Sequence, residues 1–222
     1  MEHVVPPSLL FDFQLAIPRC ESPQGSKAKR LLNPGDGSQL FLPAVLNEQK
    51  MFADVRAGWN DEGIAVSVRV HGKPDVPDGA SKDMRHADAV LLWLDTRPAA
   101  NVHRATEYCH HFGFLPADNE NDGAPSACVL PIAQQRLQRI DSDVRRFQLK
   151  THITSDGYEL EIWIPGSQLH GFREIAQIGR IGFSCIVQDS HLGQQHMFLD
   201  ENFPVTFDPS LWLPIQLLND PK

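Results

Sequence analysis

The chain has 222 residues, 41% hydrophobic and 22% charged, with a formal net charge of −8 at pH 7. That length suits one large domain, 1–222, able to bury a core without metal or disulfide support. The negative charge excludes nucleic-acid phosphate and anionic membrane as main partners, and KAKR at 27–30 is too short a run to reverse it.

The opening MEHVVPPSLLFDF has an acidic second residue, two early prolines and no long apolar core. It reads as neither a secretory signal nor an anchor, so the expected location is cytoplasmic. Leu9–Ile17 reads as an opening strand, and 18–38 as a loop rich in Pro, Gly and Ser. Segment 1–50 is expected to pack on a sandwich formed by 51–218. Met51–Trp59 places Val55, Ala57 and Trp59 on one face. Asn60-Asp61-Glu62-Gly63 is a tight turn, because Asn, Asp and Gly tolerate the backbone angles a hairpin needs. Gly63–His71 answers with Ile64, Val66, Val68 and Val70 inward, Ser67 and Arg69 outward.

Asp88–Asp95 (DAVLLWLD) is too apolar for two exposed faces, which predicts a central strand. Ala105–Leu115 follows, with Tyr108, His110, Phe112 and Phe114 on one side. Residues 116–127 read as a loop, and Val129–Arg139 as the longest helix candidate. Phe147–Thr154 pairs with the strand after the Asp156-Gly157 turn, whose apolar face is Tyr158, Leu160, Ile162 and Ile164. Pro165 ends that strand, since it has no N–H for a ladder. A helical or turn segment at Ser167–Phe172 leads over Gly179 to Ile181, Phe183, Cys185 and Val187 on one face of a further strand. Trp212–Leu218 closes the sheet. Short alternating segments between turns predict an all-β fold, an antiparallel two-sheet β-sandwich with one or two short helices. Cys20, Cys109, Cys128 and Cys185 show no pairing pattern and are expected to be reduced, with a single disulfide as the alternative.

The densest polar cluster is Asp95, Arg97, Asn101, His103, Arg104, Glu107, Cys109, His110 and His111. If strands 88–95 and 105–115 are hairpin neighbours, their loop gathers Asp95, Arg97, His103 and Arg104 at one end. Arginine and neutral histidine suit sugar hydroxyls or a carboxylate; a structural network holding the loop is the alternative. Cys109 and His111 share a strand face while His110 points away, so metal binding needs ligands from elsewhere, such as His86, His103 or His196. Asp118, Glu120, Asp122 and Gly123 imitate half a calcium loop, but Val129 stands where a bidentate Glu is required. No catalytic motif appears. Glu159 and Glu161, about 7 Å apart on one strand face, read as solvated surface rather than a glycosidase pair.

Four segments carry a family resemblance: FADVRAGWNDEGIAVSVRV at 52–70, DAVLLWLD at 88–95, DGYELEIWIP at 156–165 and IGFSCIVQD at 181–189. With DPSLW…IQL at 208–217, they resemble family 9 carbohydrate-binding modules and the wider DOMON-like group, and DTRPAANVHRATEYCHHFGFLP at 95–116 resembles an uncharacterised bacterial subgroup. The resemblance implies a jelly-roll-like sandwich that binds a glycan or small sugar between aromatic rings without hydrolysing it. It also implies possible structural calcium. Haem-binding relatives point to the adjacent His196 and Met197, with Met and His as axial ligands. Trp59 falls on an inward face, and Trp212 on core or rim. Trp93 and Trp163 fall opposite the most apolar faces of their strands and are the candidate stacking residues, unless a loop or terminal segment covers them. The expected ligand set is therefore Trp93, Asp95, Arg97, His103, Arg104, His110, Glu161 and Trp163. The alternatives are a structural or protein-interaction sandwich without a sugar site, and a metal- or haem-binding domain; no protein partner is indicated.

Overall fold

The computed structural model describes residues 5–23, 30–32, 38–84, 86–99, 101–136 and 142–219. Among these, eleven strands form two sheets. The larger holds β1 (Leu15–Ile17), β4 (Ala89–Asp95), β5 (Cys109–Leu115), β6 (Ser126–Val129), β9 (Arg180–Asp189), β10 (Gly193–His196) and β11 (Leu213–Leu217). Its order is β1-β11-β9-β4-β5-β6, with β10 also on β9. The smaller holds β2 (Ala53–Asn60), β3 (Gly63–His71), β7 (Gln148–Thr154) and β8 (Gly157–Pro165), in the order β2-β3-β8-β7. Every pairing is antiparallel except β1 with β11. This is the expected all-β sandwich.

The alternation explains the core. Ile64, Val66, Val68 and Val70 of β3 lie beside Tyr158, Leu160, Ile162 and Ile164 of β8, all buried. Across the interior they join one apolar cluster with Val90, Leu92 and Leu94 of β4, Phe112 and Phe114 of β5, and Ile181, Phe183, Cys185 and Val187 of β9. Each such side chain contributes about 1.5–3 kcal/mol by leaving water. The β2–β3 turn is held by the Asn60 side chain, which accepts from the N–H groups of Glu62 (2.8 Å) and Gly63 (3.2 Å). A Cβ at Gly63 would collide with the Ile164 carbonyl, so only glycine lets β8 approach there.

Three expected elements differ, and the first differs only at its start: the strand read as Ala105–Leu115 begins at Cys109, after a turn at 107–108. Of Leu9–Ile17, only Leu15–Ile17 is a strand; Pro7–Leu10 is a 3-10 turn. Pro7 stands in its first turn, where a fixed φ and a missing N–H are tolerated. The expected helix at Val129–Arg139 does not form over its described part. Ser126–Val129 pairs with β5, the Leu130 N–H continues that contact to the His111 carbonyl, and Pro131 follows. Residues 137–141 lie outside the described residues. The α-helix observed is the single turn Ile175–Ile178, stopped by Gly179 at φ 74°.

Candidate functional site

β4 and β5 pair from Val90↔Phe114 to Asp95↔Cys109, so the loop between them stands at one end of the sandwich. There the Asp95 carboxylate accepts from the Arg97 N–H at 2.8 Å. Burial raises the Asp95 carboxyl above the usual range, and that hydrogen bond offsets only part of the effect. Burial and the neighbouring Asp95 charge push the Cys109 thiol up to about 12, so it is an inert group. The Thr96 N–H donates to the Tyr108 carbonyl (3.1 Å) and its hydroxyl to the His170 carbonyl (2.6 Å). These bonds tie the loop to the segment after β8.

The Tyr108 ring is the centre of this end. Its centroid lies 4.9 Å from that of His170 in a stacked arrangement, and the Arg97 guanidinium lies 4.3 Å from it. Arg97 also pairs with Glu174, and that hydrogen bond raises the pKa of the guanidinium. Gly171 takes φ 78°, and a Cβ there would stand 2.7 Å from both the Tyr108 ring and the Thr96 hydroxyl. Tyr108, His170, Gly171 and Glu174 belong to the wall of a cavity of about 440 Å³ lined by Tyr108 and residues 166–174, while Arg97 and Thr96 touch that wall from outside the lining. Ser142 and Asp143 anchor Gln168 through its carbonyl and side-chain oxygens (2.7 and 2.8 Å). The lining thus holds two stacked rings, the Arg173 guanidinium, the Glu174 carboxylate and the Gln168 amide. Such a set can hydrogen-bond hydroxyls and cover an apolar ring face.

The eight expected ligand residues separate. Asp95 and Arg97 belong to this end. Exposed His103 turns instead to Asp208, with Nδ1 3.0 Å from Oδ2. Burial disfavours ionised Asp208, but Ser210 and His103 outweigh it and hold the carboxyl below the usual range. Arg104 is exposed on the same loop. His110 is corrected to a core residue: it is fully buried on the inward face of β5, stacked on Phe112 at 5.9 Å.

Both indoles are buried as well. Trp93 is 0% exposed, stacked on His111 at 4.2 Å, and donates from Nε1 to the Thr206 carbonyl at 3.1 Å. It packs with Leu199, Val205 and Trp212, because the chain between β10 and β11 crosses the outer face of the larger sheet. Trp163 is 3% exposed beneath Leu31 and Leu32, against Ala65. Beside it Glu161, fully buried, accepts from the Leu31 N–H (2.7 Å) and the Arg30 Nε (2.8 Å), and lies 3.1 Å from His152 Nε2. Glu159 pairs with Arg30 and accepts from the Ser67 hydroxyl at 2.9 Å. Glu159 and Glu161 are therefore not solvated surface groups. Neither indole presents a face to a ligand, since stacking needs an open ring.

Sequence reasoning passed over Tyr108, Gln168, His170, Arg173 and Glu174 as site residues. For the last four the signal was the polar and aromatic density of QLHGFRE at 168–174 around a glycine, read only as a connector, whereas Tyr108 was read as a strand residue beside His110. Asp118 of the acidic loop caps its own turn, accepting from the Glu120 N–H (3.0 Å) and the Ser126 hydroxyl (2.7 Å). Among the described residues, no group of three or more His, Cys, Asp or Glu is arranged to hold a metal ion. His196 and Met197 part company: the imidazole lies 3.6 Å from Glu201, while Met197 joins the core.

No protein-family model and no curated protein matches the chain. Solved structures do match. A family 9 carbohydrate-binding module from Caldicellulosiruptor kristjanssonii, solved in complex with cellotriose, aligns with a TM-score of 0.52 at 22% identity, over 76% of this chain and 75% of that one. The module of that family and organism in complex with glucose aligns with a TM-score of 0.53 at 22% identity, over 77% of each chain. The chain has a family 9 carbohydrate-binding-module fold. In this fold the cavity at Tyr108 lies at the sandwich end where the β4–β5 loop meets the turns after β8.

Proposed function

We propose that this protein is a non-catalytic carbohydrate-binding module that takes a monosaccharide or short oligosaccharide into the cavity beside Tyr108 and His170. The observation that carries the proposal is an open concave site of this composition on a family 9 fold, whose solved neighbours hold cellotriose and glucose. A pyranose has one apolar face and a rim of hydroxyls. In this reading the Tyr108–His170 pair supplies apolar contact, Glu174, Gln168 and Ser167 meet hydroxyls, and Arg97 holds Tyr108 and Glu174 in position. No bond is broken. The carboxylates Glu159 and Glu161 are bound to Arg30 under a covering segment, so they do not act as an acid–base pair.

Titration calorimetry with glucose and cellotriose tests this. Dissociation constants between about 10 µM and 1 mM are expected for so small a contact. Tyr108→Ala is expected to weaken binding about tenfold or more. Absence of binding to both sugars and across a glycan array rejects the proposal. The burial of Trp93 and Trp163 favours a second reading, an interaction domain that keeps the sandwich without a sugar site. A silent glycan array is the outcome that reading predicts.

A further inference from the structure

Among the described residues, ten large hydrophobic side chains are exposed, and seven of them belong to two short segments. These are Val5, Leu9, Leu10 and Phe11 in the first, and Phe41, Val45 and Leu46 in the second, between 36% and 73% exposed. Their clustering is structural. The 3-10 turns Pro7–Leu10 and Pro43–Asn47 are tied by the Ser8 N–H donating to the Asn47 side chain at 2.9 Å. Phe11, Phe13 and Phe41 form a ring chain with centroids 6.1 and 5.9 Å apart. Phe41 and Val45 then line a groove of about 450 Å³ with Leu40, Leu42, Met51 and Val55. A ridge (Leu9–Phe11) thus stands beside a groove, with Pro43–Asn47 between them.

A fully exposed aromatic or aliphatic side chain of this size offers roughly 150–200 Å². At these exposures the seven present on the order of 600 Å² of apolar surface, the upper end of what a monomer shows. With the groove walls and a polar rim, that approaches the roughly 800 Å² per partner of a stable interface. Both stretches, VPPSLLF at 5–11 and SQLFLPAVLN at 38–47, lack any charged residue. Asp54 is the charged residue of the groove lining, and its carboxylate lies 3.1 Å from His71 Nε2, so two copies of a chain with net charge −8 meet there mainly through the uncharged stretches.

We propose that this face is a self-association surface, occupied by a second copy of the chain. A two-fold axis near Pro43–Asn47 seats the Leu10–Phe11 ridge of one copy in the groove of the other, and reciprocally, so one contact covers both apolar features twice. The pairing leaves the Tyr108 cavity outside the interface residues, and it does not depend on what that cavity binds.

Sedimentation velocity and light scattering on the full chain, from about 1 µM to about 1 mM, test the proposal. The expected result is a reversible monomer–dimer equilibrium. Leu10→Asp and, separately, Val45→Asp are expected to raise the dimer dissociation constant at least about a hundredfold, because each buries two unpaired carboxylates. Val76→Asp, at an exposed apolar residue outside the patch, leaves the dimer unchanged. Circular dichroism confirms folding, and all three positions are exposed. A wild-type chain that stays monomeric at the highest concentration overturns the proposal. So does a dimer that survives both patch substitutions.

Discussion

At one end of the β4–β9 ladder, Asp88 and Asp189 close on Lys73; at the other, Asp95 stands beside Arg97, Tyr108 and an open cavity. Lys73 Nζ lies 3.0 Å from Asp88 and 3.2 Å from Asp189, and all three side chains are sealed from solvent. Their remaining oxygens are used: Asp88 accepts from the N–H groups of Asp78 and Ser190, Asp189 from those of His191 and Leu192. Burial works against the Lys73 ammonium, but hydrogen bonds to Asp88 and Asp189 outweigh it and raise its pKa. The Arg97–Glu174 pair at the opposite end is half in water. The same chemistry is structural where the charges are sealed against one another, and available to a ligand where one side stays open.

The sharpest way to break that contrast is Lys73→Met. It strands two buried carboxylates, and a loss of about 3–5 kcal/mol is expected in urea or thermal unfolding. The wild type carries a matching pH signature. Stability from Lys73 is fully present below the ordinary lysine pKa of about 10.4 and is lost as pH rises through the raised folded value. An unfolding series at alkaline pH checks this, and Lys73→Met should lack that component. Trp93→Ala is expected to cost about 3–5 kcal/mol as a core truncation. Fluorescence-monitored unfolding will show it, and any change in sugar affinity should vanish under conditions where the variant is fully folded.

Gly171→Ala is the intermediate case, because it forces a Cβ residue into left-handed backbone against Tyr108. A loss of about 1–2 kcal/mol together with weakened sugar binding is expected from parallel unfolding and calorimetry. Arg97→Ala is the smallest perturbation of the fold. Its melting temperature should match the wild type, while sugar affinity falls; an unchanged affinity removes Arg97 from the site.

The strands were legible because alternation is a local property. Ile64 to Val70 and Tyr158 to Ile164 announce an inward face in sequence alone, and each is buried as read. The outward faces were not legible in the same way. Trp93 and Trp163 sit correctly opposite the apolar faces, yet the chain between β10 and β11 covers one, and Leu31 and Leu32 cover the other. The cover on Trp93 comes from the chain after β10, and the cover on Trp163 is held by Glu161, whose partners at 30–31 lie far away in the sequence. The Asp95–Arg97 end was anticipated because both residues flank a predicted strand. Its partners Tyr108, His170 and Glu174 come from elsewhere in the chain and meet only when β5 and the turns after β8 reach the same end.

The amino-acid sequence by itself determined the strands, their inward faces, the Asn60–Gly63 turn and the stop at Pro165. Each follows from side-chain period, backbone freedom or a missing N–H within a few residues. Tertiary structure alone decided which outward residues stay open, since accessibility depends on segments that return from far along the chain. It buried two tryptophans, sealed Lys73 between two aspartates, and left Tyr108 beside an open cavity.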